Sequence, residues 1–304
     1  MKLGIVVVYL VAEEDEALLD LHLSQIEKCT QAPHCTYASA NRLLPRFRAR
    51  IEQFPHIRIC DVPGTSLRYS QEHAYYLDRL IEKAIDDGAT HVCTLHVDSF
   101  PVTRGWAFAV ASKLNERCVL AGSLRDPKFH RKPSTDFMMF TREFYLRHRP
   151  TMLLSPEVMA SAEYQRYQAA FANVPDSGVG YGFKIWSERL HWLAIPRAAE
   201  AEDSYHLGSL FGGLVFHLGG AVRNHADHKA SGRQIRVAQM LGRCLPLAKT
   251  IAPAFVKESL RGAVEKNVVR PKFDSVRTAL LADPEGFLRQ LRSTTRIQGE
   301  WATI

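Results

Sequence analysis

The segment Thr90–Trp106, THVCTLHVDSFPVTRGW, decides the fold class. Its first part, His91 to Leu95, is short, apolar and β-branched, the composition of a strand buried on both faces of a parallel sheet. It runs directly into His96-Val97-Asp98-Ser99, after which Pro101, Gly105 and Trp106 are expected to open the next helix. Open α/β sheets take their ligands beyond the carboxyl ends of their strands, where His96 and Asp98 would stand. Two residues apart on an extended chain, both can face the same side. A carboxylate so placed suits a hard divalent cation carrying a diphosphate; the competing reading is an Asp that caps a helix.

The flanking sequence repeats the strand-then-helix rhythm. Leu3 to Leu10 reads as a central strand, and acidic residues 13–16 favour a helix start that continues to about Cys29. Short strands are expected at Cys35–Ala38 and Ile57–Val62. Between Ser70 and Asp87, Leu77, Leu80, Ile81, Ala84 and Ile85 recur at helical spacing, and Gly88 stops the helix. Helices are expected at Trp106–Leu114, Glu157–Phe171 and through Trp186 to Leu190, with strands at Val119–Ser123, Asp136–Thr141 and His191–Ile195. Residues 200–225 read as loop. The alternation predicts an α/β, mostly parallel sheet flanked by helices. We divide the chain into a domain over 1–228 and a basic, helical C-terminal extension over 229–304, in which Val256, Leu260, Ala263, Val264 and Val268 form one apolar face.

The 304 residues carry 39 Lys+Arg against 32 Asp+Glu, a net charge of +7, which favours a phosphate-bearing ligand, an acidic polymer or a membrane surface. The six cysteines form no CxxC pair, so a reducing, cytoplasmic setting is expected. The apolar run from Leu3 meets Glu13 too soon to span a membrane or form a signal peptide. There is no GxGxxG after the first strand, no GxxxxGK[ST], no GxSxG and no HExxH, which argues against dinucleotide, P-loop, α/β-hydrolase and zincin chemistry.

Taken in order, Ser70-x-x-His73-x-x-x-Leu77-Asp78, THVCTLHVDSFPVTRGW, TDFMMFTREFY, PDSGVGYG and VFHLGG resemble GT-A-fold glycosyltransferases, the family 2-like group most closely. The resemblance covers roughly residues 1–225. It implies a GT-A-like sheet carrying a nucleoside-diphosphate sugar, UDP-linked by preference, and a strand-end DxD motif holding Mn²⁺ or Mg²⁺. Asp98 matches the last Asp of that motif and His96 replaces the first, a change that shifts metal preference toward Mn²⁺. His217 matches a later metal-ligand histidine. Asp176, at a helix start, matches the base that deprotonates the acceptor hydroxyl, and Asp136 is held in reserve for that role. Tyr9, Val11, Ser70, His73 and Asp78 would line the nucleotide. Asp203 with His206, and Arg125 with Lys128, stand by as supporting groups.

The function implied is transfer of a sugar to an unidentified acceptor hydroxyl by a single inverting displacement. Two other readings compete. A sugar-phosphate nucleotidyltransferase would need a Gly-rich loop that VVYLVAEED lacks. A non-catalytic binding or scaffold protein on a degenerate transferase fold would explain His96, its basic tail contacting membrane or nucleic acid.

Overall fold

The structure is a computed structural model, and it describes all residues except 12, 42, 125–131, 172–175, 203–206, 220–269 and 295–300. Strands β1 (Leu3–Val8), β2 (His34–Ser39), β3 (Ile57–Ile59), β4 (His91–Leu95), β6 (Cys118–Ser123), β7 (Ser134–Thr141), β8 (His191–Ile195) and β12 (Ala302–Thr303) form one sheet. Its order is β12-β8-β6-β7-β4-β1-β2-β3. β3, β2, β1, β4, β6 and β8 run one way; β7 and β12 run against them. The chain is thus a mixed α/β protein with a mostly parallel central sheet flanked by helices. A second sheet, β5-β11-β10-β9, joins β5 (Ser99–Pro101) to β11 (Val215–His217), β10 (Leu207–Phe211) and β9 (Arg197–Glu202), all antiparallel.

Every residue of β1 is buried, because each face of the strand meets a helical layer. Leu3, Ile5 and Val7 pack with Leu19, Leu23 and Ile26 of α1 (Glu16–Cys29), Phe47 and Ile51 of α2 (Pro45–Glu52) and Trp106 of α4 (Trp106–Ala111). Val6 and Val8 face the stripe Leu77, Leu80, Ile81, Ala84 and Ile85 of α3 (Tyr69–Asp86). Each such large apolar side chain contributes roughly 1.5–3 kcal/mol on burial. At Gly4 an added Cβ would lie 2.9 Å from the Cβ of Ala84, so the glycine sets how closely α3 rests on the sheet. The same layer takes α5 (Arg142–His148) and α8 (Val179–Ser187), through Phe144, Tyr145, Tyr181 and Ile185. α6 (Pro156–Ala160) and α7 (Ala162–Phe171) lie beside α8, with Tyr164, Tyr167, Val179 and Phe183 forming a small aromatic core.

Leu18 and Leu21 turn the opposite side of α1 toward the second sheet, whose core they share with Phe100, Leu210 and Phe216. Phe273, Val276 and Leu280 of α9 (Arg270–Ala282) and Leu288 and Leu291 of α10 (Pro284–Ser293) complete that core. Arg277 of α9 also pairs with Asp15, at 2.8 Å.

Several expectations change. Ser99–Pro101 is a strand rather than the approach to a helix, and residues expected as loop form β9, β10 and β11. The helix over Glu157–Phe171 breaks at Ser161, whose backbone is extended. α2 was not expected. In the described part of the extension, α9 and α10 close the second core and β12 pairs with β8. The 228/229 boundary, the apolar face over 256–268, Arg125, Lys128, Asp203 and His206 lie outside the described residues. The five described cysteines are free thiols, and no described helix is long and apolar enough to cross a membrane.

Candidate metal centre

The site begins where β4 ends. A tight turn follows: the Ser99 amide donates to the His96 carbonyl (3.0 Å), and the Ser99 hydroxyl accepts from the His96 amide (2.7 Å) and donates to the Asp136 carbonyl (2.6 Å). This turn carries the chain out of the large sheet and into the small one. There the β5–β11 ladder sets His217 opposite Ser99, and the Leu218 amide donates to the Asp98 carbonyl (2.9 Å). His96, Asp98 and His217 therefore converge, each offering a ligand atom within 4.8 Å of the others.

Asp98 Oδ1 lies 3.5 Å from His217 Nε2 and 4.0 Å from His96 Nδ1. Asp98 and His217 are buried, and His96 alone reaches the surface, its side chain 23% exposed. Both histidines are held from behind. His217 Nδ1 sits 3.1 Å from Asp136 Oδ2, while Asp136 Oδ1 accepts from the Ser123 hydroxyl at 3.0 Å. His96 Nε2 pairs with the Thr135 hydroxyl at 3.1 Å, leaving Nδ1 toward Asp98. Burial alone would lower the His217 pKa, but Asp98 and Asp136 outweigh it and raise it to about 9. Without a metal, His217 is an imidazolium between two carboxylates, so the pocket is built to hold positive charge.

Two neighbouring histidines are neutral. His73 of α3 stands edge-on to His96, ring centroids 5.0 Å apart, and burial followed by the His96 charge lowers its pKa to about 3. Burial lowers that of His22 to about 4, although a bond to Ser99 and the Asp98 charge oppose it. His22 Nδ1 donates to the Ser99 carbonyl (2.9 Å), so Nε2 accepts from the Tyr9 hydroxyl (3.2 Å). A neutral polar layer thus backs the turn.

The residues expected around the nucleotide separate. His73 joins the cluster, and Ser70 is half-buried one turn before it. Tyr9 is wholly buried and bound to His22, its phenol pKa pushed up by burial, so it offers no ring for stacking. Val11 packs at the margin of the main core. Asp78 stands on α3, where its carboxylate accepts from the Met152 amide (3.0 Å) and burial raises its pKa to about 7.

Asp176 is half-buried and accepts from the Ser177 amide (2.8 Å). Its turn is pinned by Gly178, at φ 91°, where an added Cβ would meet the Pro133 carbonyl oxygen at 2.7 Å and Thr135 Cγ2 at 3.5 Å. Thr135 is the residue that holds His96, so the Asp176 turn abuts the metal-centre scaffold. Buried Lys132 ties down the same turn by donating to the Ser177 carbonyl (2.8 Å).

Sequence reasoning missed His22, Ser99, Ser123, Lys132 and Thr135. Ser99 and Thr135 adjoin singled-out residues, and that adjacency was the available signal. His22 sits in an apolar helical stripe with nothing to mark it.

Two imidazoles and one carboxylate form a donor set suited to a first-row divalent cation. A ligating histidine whose second nitrogen faces a carboxylate is the usual outer-shell arrangement of such sites. The residues present fit a divalent metal.

No family model and no curated protein matches the sequence. Among solved structures, a mannosyltransferase from Pyrobaculum calidifontis in complex with GDP-Man and Mn²⁺ is similar, with a TM-score of 0.40 and 13% identity over 92% of this chain and 75% of that one. Mouse xyloside xylosyltransferase 1, in its apo form, aligns with a TM-score of 0.38 and 11% identity over 62% of this chain and 82% of its own. A cytidylyltransferase from Leptospira borgpetersenii gives a TM-score of 0.37 and 9% identity over 60% and 79% respectively.

Proposed function

We propose that this protein is a GT-A-type, family 2-like glycosyltransferase that moves a sugar from a nucleoside-diphosphate donor, UDP-linked by preference, to an acceptor hydroxyl. The observation that carries the reading is the His96–Asp98–His217 cluster at the carboxyl end of β4, with Asp136 orienting His217. That is where an open α/β sheet binds its ligand.

His96, Asp98 and His217 would hold the metal, Mn²⁺ more readily than Mg²⁺ because two donors are imidazoles. When bound, the ion supplies positive charge for the departing diphosphate. Thr135 and Asp136 fix the two imidazole rings, and the neutral His22 layer keeps the turn rigid. Asp136, buried behind His217, is an orienting carboxylate in this reading and gives up its reserve place as base. Asp176 takes the proton of the acceptor hydroxyl. The acceptor oxygen then bonds to the anomeric carbon as the bond from that carbon to the diphosphate oxygen breaks, and the electron pair leaves with the diphosphate. One such displacement inverts the anomeric configuration.

The catalytic unit in this reading spans residues 1–228 with the described segments 270–294 and 301–304 packed on it, in a cytoplasmic protein that touches a membrane or acidic polymer through its basic C-terminal region. Calorimetric titration with UDP and GDP, with and without Mn²⁺, tests the proposal. We expect metal-dependent binding of at least one nucleotide that is lost in Asp98→Ala. Absence of binding by either nucleotide in either condition overturns it. The burial of Asp98 and His217 favours a second reading, a closed polar core in a non-catalytic binding protein, and full retention of biological activity by Asp98→Ala would select that one.

A further inference from the structure

Away from the metal centre, at the β2–β3 edge of the large sheet, His34 opens β2 and His56 immediately precedes β3. Their rings lie with centroids 4.9 Å apart and planes tilted by 56°. His34 Nδ1 stands 2.9 Å from the Ala32 carbonyl oxygen, which can only accept, so Nδ1 carries the proton and Nε2 presents a bare lone pair. That Nε2 is buried and makes no hydrogen bond among the described residues; the same is true of His56 Nε2. The hydroxyl of Thr36, two residues beyond His34 on the same face of β2, is a third such atom. Backbone pairing fixes the group, since the Thr36 amide donates to the His56 carbonyl at 2.7 Å and Thr36 registers with Ile57.

A buried polar atom without a partner forfeits its hydration uncompensated, so three in one patch of the sheet edge call for a ligand. Two imidazoles on one tetrahedral ion, with metal–nitrogen bonds of about 2.0–2.1 Å, place their ring centroids roughly 5 Å apart. The observed 4.9 Å agrees. We propose that His34 and His56 form a separate binding site for a borderline transition cation of the Zn²⁺ class, each ligating through Nε2, with water filling the outer positions.

Three features support the assignment. The carbonyl on His34 Nδ1 orients that ring as an outer-shell partner orients a ligand histidine. Phe54 stands edge-on to His56 at 5.8 Å and limits its rotation. Burial, first among the causes, lowers the pKa of His56, which favours the neutral imidazole that ligates. Both residues are half-buried, so the pair lies close to the surface although its Nε2 atoms are covered. The site does not depend on the glycosyltransferase reading.

The test is calorimetric titration of metal-free protein with Zn²⁺. Wild type should bind one more Zn²⁺ per chain than a His34→Gln/His56→Gln protein. A His96→Gln/Asp98→Asn protein, with the other centre disabled, should still bind Zn²⁺ at the β2–β3 edge. Adding His34→Gln or His56→Gln to that background should weaken this binding at least tenfold. Thermal unfolding without metal checks that each variant folds, and a Zn²⁺-dependent rise in the midpoint of the His96→Gln/Asp98→Asn protein gives a readout that needs no change at His34 or His56. If that protein neither binds Zn²⁺ nor gains stability from it, water alone meets these atoms and the proposal falls. It falls equally if both single Gln variants bind as tightly as their parent.

Discussion

Asp78→Asn should make the protein more stable at alkaline pH while leaving it almost unchanged in acid. Asp78 is half-buried on α3, and its carboxylate accepts from the Met152 amide. Burial raises its pKa from 3.8 to about 7, Met152 opposing the shift. A carboxyl with a folded-state pKa above its unfolded value binds more protons when folded. Stability is therefore greatest below about pH 4 and falls as pH rises toward 7. A shift of about three units corresponds to a ceiling of roughly 4 kcal/mol, and partial solvent access reduces this to about 1–3 kcal/mol. Asparagine keeps an oxygen for Met152 and carries no charge. Urea unfolding of both proteins between pH 4 and 8 gives the difference directly: near zero in acid, growing to about 1–3 kcal/mol in favour of Asp78→Asn above pH 7. Because the other carboxylates titrate alike in both proteins, they cancel. A pH-independent difference, or an Asn variant less stable at pH 8, would refute the account of Asp78 as a carboxyl charged against its surroundings.

Other expectations concern the metal centre and the backbone. Since His217 titrates at about 9 and must lose a proton to ligate, Mn²⁺ affinity should climb roughly tenfold per pH unit between neutrality and about pH 9. A flat calorimetric profile would remove His217 from the ligand set. Gly180→Ala should destabilise by about 1–3 kcal/mol in denaturant melts, because the new methyl would overlap the Thr151 carbonyl oxygen. Tyr69 has φ 56° and is 90% exposed, so Tyr69→Gly should stabilise by about 1 kcal/mol; a loss of stability would show that the ring has packing of its own.

The large sheet was legible because β1, β4 and β6 are continuous apolar runs, and α3 because its stripe keeps strict helical spacing. The small sheet was not. Its strands are short, and Ser99–Pro101 contains a proline that reads as a helix approach until β11 is seen beside it. His96, Asp98 and His217 could be picked out by residue type and motif order. Their supports could not: Thr135 and Ser123 act through single hydroxyls, and no local pattern announces a hydrogen bond between distant strands. The surroundings of Tyr9 and Asp78 were not legible for one reason. Sequence shows that a polar group lies near a strand end or on a helix, but not which layer its side chain enters.

The β5–β11 ladder has a consequence for how the protein acquires its centre. His96 and Asp98 are neighbours in the chain and can form during collapse of the large sheet, whereas His217 arrives only when β11 pairs in register with Ser99. A slip of one residue would turn His217 to the opposite face. Closing so long a loop is a non-local event, slow relative to the local helices. A divalent ion that needs all three ligands would then report on the last docking step, and its uptake during refolding would time the arrival of the small sheet.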